Sequence, residues 1–144
     1  MNREDWVVLA LDCAGARALS PAQMQKSLFL LGEELPGILG TADFYRFVPY
    51  NYGPFCKQIY DDAESLAARG LVTILREPGV RYLQYEATAE GRELAKRLRA
   101  KADARAVAYL EQVVTWAKRQ SFSQLVRSIY EKYPEFRQNS VFQN

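Results

Sequence analysis

Apolar positions along this chain recur first at a helical period, then at that of an extended strand, and then at a helical one again. Trp6, Leu9, Ala10 and Cys13 lie at helical spacing behind Asn2, which forms a capping-box start with Asp5, and Gly15 is the natural stop. Ser20-Pro21-Ala22-Gln23 predicts a second helix start, with Ser at the cap, Pro at the first helical position and Gln at the third. Met24, Leu28 and Leu31 supply its apolar face, and Pro36-Gly37 ends it. Phe44 to Val48 is short, aromatic and closed by Pro49, the pattern of a strand. Tyr50-Asn51-Tyr52-Gly53-Pro54-Phe55 then reads as a turn opening a third helix, with Pro54 where a missing N–H is harmless. Phe55, Ile59, Ala63 and Leu66 form that helix's stripe, and Gly70 caps its end.

Leu71 to Arg76 and Arg81 to Ala87 predict two strands, joined by Glu77-Pro78-Gly79-Val80 with Pro and Gly where a type II turn places them. Thr88 caps a fourth helix, and Val107, Leu110, Val114 and Ala117 mark a fifth. Ser121-Phe122-Ser123-Gln124 starts a sixth, which Pro134 stops. This order predicts a mainly α chain with a small β wing: a winged helix-turn-helix core with additional C-terminal helices. One domain spans 1–144, with the core at 5–87, the helices at 88–134 and a loosely ordered tail at 135–144. Thr88-Ala89-Glu90-Gly91-Arg92 is similar to the helix start that follows many bacterial wings.

At 144 residues, a chain can bury roughly two-thirds of its unfolded surface and needs neither disulfide nor metal to fold. The absence of histidine excludes Ser-His-Asp and Cys-His nucleophile activation and every His-containing zinc site. Cys13 and Cys56 are too few for a Cys-only zinc site and suit a reducing compartment. Cys56 near a helix start invites a lowered pKa, but with neither a base nor a resolving thiol it reads as a small buried hydrophobe. Asp61, Asp62 and Glu64 fail as a metal or acid–base cluster, since Asp61 and Asp62 point about a hundred degrees apart on a helix. The expectation is a non-enzymatic protein without cofactor or metal. The mixed-charge N-terminus lacks the basic flank of an export signal, so a bacterial-type cytoplasmic location is expected.

Net charge divides unevenly: residues 1–70 hold six Lys/Arg against nine Asp/Glu, a balance of −3, while residues 71–144 hold thirteen against eight, a balance of +5. A winged helix would place its third helix in the major groove of double-stranded DNA. Here that helix sets Lys57 and Arg69 against Asp61, Asp62 and Glu64, which opposes a polyanion. The DNA-contact candidates are therefore Lys57, the wing's Arg76 and Arg81, and Arg92 and Lys96 on the basic fourth helix, whose alternative is a solvated face.

The most unusual piece is the aromatic turn at 50–55. Lys26, Phe29, Tyr52, Gly53, Pro54, Phe55, Ile59 and Tyr60 form a "Lys-x-x-x-Phe…Tyr-Gly-Pro-Phe…Ile-Tyr" succession that resembles the Panacea (SocA-like) antitoxin domain. The string at 47–55 and the ending Tyr133-Pro134-Glu135-Phe136 resemble the YwgA-type relatives of that domain. The likeness spans roughly residues 5–140 and departs from many Panacea members at Ser27-Leu28-Phe29. It implies a protein that neutralises or adapts a partner protein, a toxin in the family's usual setting, rather than a catalyst. Lys26, Tyr52, Gly53 and Pro54 are then the structural motif, and Tyr50, Asn51, Tyr60, Asp61, Asp62 and Glu64 are the protein-contact candidates. The alternative is a DNA-binding transcriptional regulator. Val107, Leu110, Val113, Val114, Trp116, Leu125, Val126 and Ile129 exceed what one helical layer needs, and predict a two-fold homodimer through the last two helices.

Overall fold

The computed structural model describes residues 1–39 and 43–142. Among these, α1 (Arg3–Cys13), α2 (Pro21–Glu34) and a four-residue α3 (Pro36–Leu39) are followed by a hairpin of β1 (Val48–Tyr50) and β2 (Gly53–Phe55). Next come α4 (Lys57–Ala68), a second hairpin of β3 (Val72–Leu75) and β4 (Gln84–Ala87), then α5 (Ala89–Lys101), α6 (Ala104–Arg119) and α7 (Phe122–Lys132). The chain is mainly helical, as its periodicity predicts, with two small antiparallel hairpins, of which the second is the one expected.

Two helices organise the core. Trp6 through Leu11 on α1 are all buried, so this helix is apolar around its whole girth and must lie centrally. It packs against α2, α4, α5, α6 and β4. On α2, Met24 through Leu31 are likewise buried, and three of those eight residues are polar: Gln25, Lys26 and Ser27. The predicted capping box at the start of α2 forms, with the Gln23 N–H donating to Ser20 Oγ at 3.1 Å and the Ser20 N–H donating to Gln23 Oε1 at 2.9 Å. Between α1 and α2, Leu19 bridges to Tyr85 of β4 through paired backbone bonds of 2.8 and 2.9 Å, adding a one-residue third strand to the β3–β4 hairpin.

The second hairpin forms where two strands are expected but is shorter, with Val72 opposite Ala87 through Leu75 opposite Gln84, and Arg76 and residues 81–83 lie outside the ladder. Its turn has Gly79 at φ +82° and Val80 N–H donating to the Glu77 carbonyl, the type II geometry its Pro-Gly pair predicts. Gly70, at φ +77°, closes α4 with the Leu71 N–H on the Leu66 carbonyl and its own N–H on the Ala67 carbonyl, a Schellman pair. Thr88 Oγ1 accepts from the Gly91 N–H and donates to the Gly70 carbonyl, tying the start of α5 to the end of α4. A Cβ at Gly91 would overlap the Leu71 carbonyl oxygen, so only glycine lets α5 approach this closely.

Three expectations need correction. The strand expected at Phe44–Val48 instead runs from Val48 through Pro49 to Tyr50, because it pairs with a partner the sequence pattern concealed. That partner is Gly53-Pro54-Phe55: Pro54 lies in β2, and α4 begins only at Lys57. Pro49 and Pro54 face one another in the hairpin, so both missing N–H groups fall on one rung. The third correction concerns the tail. Pro134–Arg137 forms a 3-10 turn, the Phe136 ring packs on Phe29 at 4.8 Å, and the Val141 N–H donates to the Asn51 carbonyl at 2.9 Å. The described tail, through residue 142, is docked on the first hairpin; residues 143–144 lie outside the described part.

The last two helices pack inward. Leu110, Val113, Val114, Leu125, Val126 and Ile129 are all buried within the single chain, while Val107 and Trp116 are half-buried. Among the described residues, no helix is long and apolar enough to cross a membrane.

Candidate functional site

The aromatic turn of the sequence is a built structure, and its foundation lies on α2. Gln25 holds the Cys56 backbone from both sides, donating from Nε2 to the Cys56 carbonyl at 2.8 Å and accepting from the Cys56 N–H at 3.0 Å. This clamp keeps Cys56 extended, so α4 cannot start earlier. Gly53 takes φ +103°, a backbone that side-chain-bearing residues resist, and a Cβ there would meet Tyr130 at 3.4 Å and the end of Lys26 at 3.9–4.0 Å. The motif residues Lys26, Gly53 and Pro54 are therefore brought together, all buried, with Tyr130 of α7 closing the space.

Lys26 is only 5% exposed and has no hydrogen-bond or ion-pair partner among the described residues. Burial lowers its amine to about 8. Beside it, Ser27 Oγ is buried with no partner among the described residues. The carboxyl-terminal tail secures the hairpin's turn: Tyr130 Oη donates to Ser140 Oγ at 2.6 Å, and Ser140 Oγ donates to the Asn51 carbonyl at 3.3 Å.

On its outer side the hairpin is apolar and open. Val48, Tyr50 and Tyr52 are exposed, and so are Val141 of the tail and Phe122 at the start of α7. The Tyr52 and Phe122 rings meet edge to face at 5.1 Å. Behind this surface runs a chain of ring contacts, Tyr50 to Phe55 at 4.9 Å, Phe55 to Tyr60 at 5.9 Å and Tyr60 to Tyr85 at 6.1 Å. The hairpin is thus continuous with α4 and with the second hairpin through aromatic ring contacts, the last of them, Tyr60 on Tyr85, stacked.

The protein-contact candidates divide accordingly. Tyr50 is half exposed, whereas Tyr60 is packed between Phe55 and Tyr85, and burial pushes its hydroxyl up to about 12. The Asn51 carbonyl is occupied by the tail. Asp62 is an internal anchor: it accepts from Arg3 Nε at 2.9 Å and from Tyr45 Oη at 2.6 Å. Asp61 pairs with Lys57 at 3.3 Å, one turn along the helix. Glu64 remains on the exposed face of α4 near Tyr85. Arg69, just past the end of α4, lies 3.6 Å from Glu4.

Of the DNA-contact candidates, Arg76 and Arg81 are exposed on either side of the Pro78-Gly79 tip. Arg92 donates to the Gly15 carbonyl at 2.8 Å, and Lys96 is exposed on α5. Arg99 on the same helix faces inward, bonded to Asp12 and Glu111. Burial pushes the Cys13 thiol up to about 11 and raises that of Cys56, the direction opposite to an activated thiolate. The described residues hold no cluster of three Cys, Asp or Glu able to seat a metal ion.

Gln25, Tyr130 and Phe122 escaped the sequence reading. Gln25 and Phe122 are ordinary helix residues by pattern, and the tail that engages Tyr130 reads as unstructured. One signal was available for Gln25: it interrupts an apolar run beside Lys26, and adjacent polar residues on a buried helix need partners. Compared with known protein families and with curated protein sequences, the chain matches none.

Proposed function

We propose that this chain is a non-enzymatic winged-helix module that grips a partner protein through its first hairpin, in the manner of an antitoxin-like domain. The winged-helix reading is supported by the strand that Leu19 contributes between α1 and α2, by α4 leading into β3, and by the type II tip of the second hairpin. The observation that carries the functional reading is the exposed strip of Val48, Tyr50, Tyr52, Phe122 and Val141, held rigid from behind by Gln25 and the tail. Rigid aromatic side chains bury much area at low entropic cost and make the strongest interface anchors. The neighbouring face of α4 cancels its own charge at Lys57 and Asp61 and leaves Glu64 open, which favours a partner with a basic rim over a phosphate backbone. The resemblance to Panacea and YwgA-type proteins points the same way.

The second reading, a DNA-binding regulator, has the exposed Arg76 and Arg81 in its favour. The two separate by mutation and salt. A protein that co-purifies from the native cell should bind the purified chain in a one-to-one titration that is only mildly salt-sensitive. Tyr50→Ala should weaken it by about 2 kcal/mol with an unchanged melting curve. Arg76→Ala should leave it unaltered. A specific duplex bound tightly in physiological salt, lost on Arg76→Ala and retained on Tyr50→Ala, would overturn the proposal.

A further inference from the structure

A cleft adjoins the hairpin surface at Phe122 and otherwise lies outside it. It holds about 470 Å3 between the start of α2, the start of α7 and the strand leading into β4, a volume within the range of small-ligand sites (roughly 300–1,000 Å3). Its charged lining residues are Arg17 and Lys118; no aspartate or glutamate lines it. Arg17 is exposed and makes no ion pair among the described residues. Lys118 Nζ donates one of its three hydrogens to the Ala14 carbonyl at 2.7 Å, which holds the amine in place with two left over. Tyr82 and Phe122, two of the few large apolar side chains left exposed, also line the cleft.

We infer that this cleft binds a small aromatic anion: a planar ring against Tyr82 or Phe122 and an anionic group against Arg17 and Lys118. Each half follows from the lining. An unpaired guanidinium and an anchored ammonium, with no carboxylate to neutralise them, form a local positive field that suits a carboxylate or phosphate. Exposed aromatic rings lose water favourably when another ring stacks on them. A bare inorganic anion would satisfy the cations and leave both rings wet, whereas a neutral aromatic would leave the cations unmatched. Phe122 also touches Tyr52 of the hairpin, so an occupant of the cleft would press on a residue that supports the proposed partner surface.

The test uses the purified chain alone, so its outcome does not depend on whether a partner protein exists. Calorimetric titrations with 5′-AMP and with 4-hydroxybenzoate distinguish a phosphate-bearing from a carboxylate-bearing source. Adenosine and inorganic phosphate present the ring and the anion separately. At least one of the two aromatic anions should saturate below about 1 mM, some tenfold or more tighter than either separate half. Arg17→Ala and Phe122→Ala should each weaken that binding about tenfold, while Arg127→Ala, on the exposed face of α7, should leave it unchanged. Absence of saturable binding by both aromatic anions would overturn the inference. So would affinity unaffected by Arg17→Ala, or inorganic phosphate binding as tightly as 5′-AMP.

Discussion

Lys26 carries an amine into the protein interior behind Gly53 and Tyr130 without a carboxylate to meet it. Desolvation alone accounts for its lowered pKa, from 10.5 to about 8. Between these values the unfolded chain holds the proton and the folded chain does not, so stability rises with pH across that window. Below pH 8 the folded chain bears the full cost of the buried charge, about 3 kcal/mol for a shift of this size. Lys26→Met, close in length and uncharged, should therefore stabilise the protein by on the order of 2–3 kcal/mol at pH 7. The gain should shrink towards pH 9.5, as urea unfolding at the two values would measure. A destabilised variant at pH 7 would show that the ammonium makes a favourable contact. At this scale the sequence was informative about residue types: Gly53, Gly70 and Gly79 sit at positive φ where turn chemistry predicts. It was silent on pairing, because Gln25 with Cys56 and Asp62 with Arg3 and Tyr45 are contacts between distant segments.

Among the elements, the tail is tied to the first hairpin both by aromatic packing and by hydrogen bonds. Phe136 completes a set of edge-to-face contacts in which the Phe29 ring also meets Phe47 at 5.3 Å and Tyr133 at 5.0 Å. Val141 and Ser140 then hold the Asn51 carbonyl. Truncation after Tyr133 should cost on the order of 2 kcal/mol, the scale of uncovering an aromatic cluster and freeing a carbonyl. Hydrogen exchange should localise the effect, with amides of residues 48–55 losing protection well before those of α1. Equal acceleration throughout would mean that the tail serves the global fold and not the hairpin. The first hairpin itself was hidden from the sequence because Pro and Gly in Tyr-Gly-Pro-Phe are strand-averse residues, accepted here only because the strand is three residues long and its prolines share a rung. By contrast, the capping boxes of α2 and α7 and the Schellman end of α4 are local hydrogen-bond patterns and were legible.

For the whole molecule, the arrangement of α6 and α7 bears on assembly. Six of the eight apolar residues that suggested a homodimer are buried inside the chain, on α1, α2 and one another. What remains outward includes two shallow grooves of about 310 and 480 Å3, both bordered by Trp116, and their half-buried aromatics are Tyr109 and Trp116. A stable two-fold interface buries at least about 1,000 Å2, which two half-covered rings do not supply. Light scattering at micromolar concentration should therefore return the mass of one chain, 16.5 kDa. A mass of twice that, reduced by Trp116→Lys, would restore the dimer through this face.

By itself the sequence determined the six longer helices, the second hairpin with its Pro-Gly tip, and the absence of histidine chemistry. All of these depend on residue identity and on spacings of a few positions. Tertiary structure alone decided which polar residues are committed inside and which remain available outside. Asp61 and Asp62 are neighbours of one type, yet one reaches water and the other joins Arg3 to Tyr45. Tyr50 and Tyr60 flank the same motif, yet one is open and the other packed. That division is set by what packs against each side chain from elsewhere in the chain, and local periodicity carries no record of it.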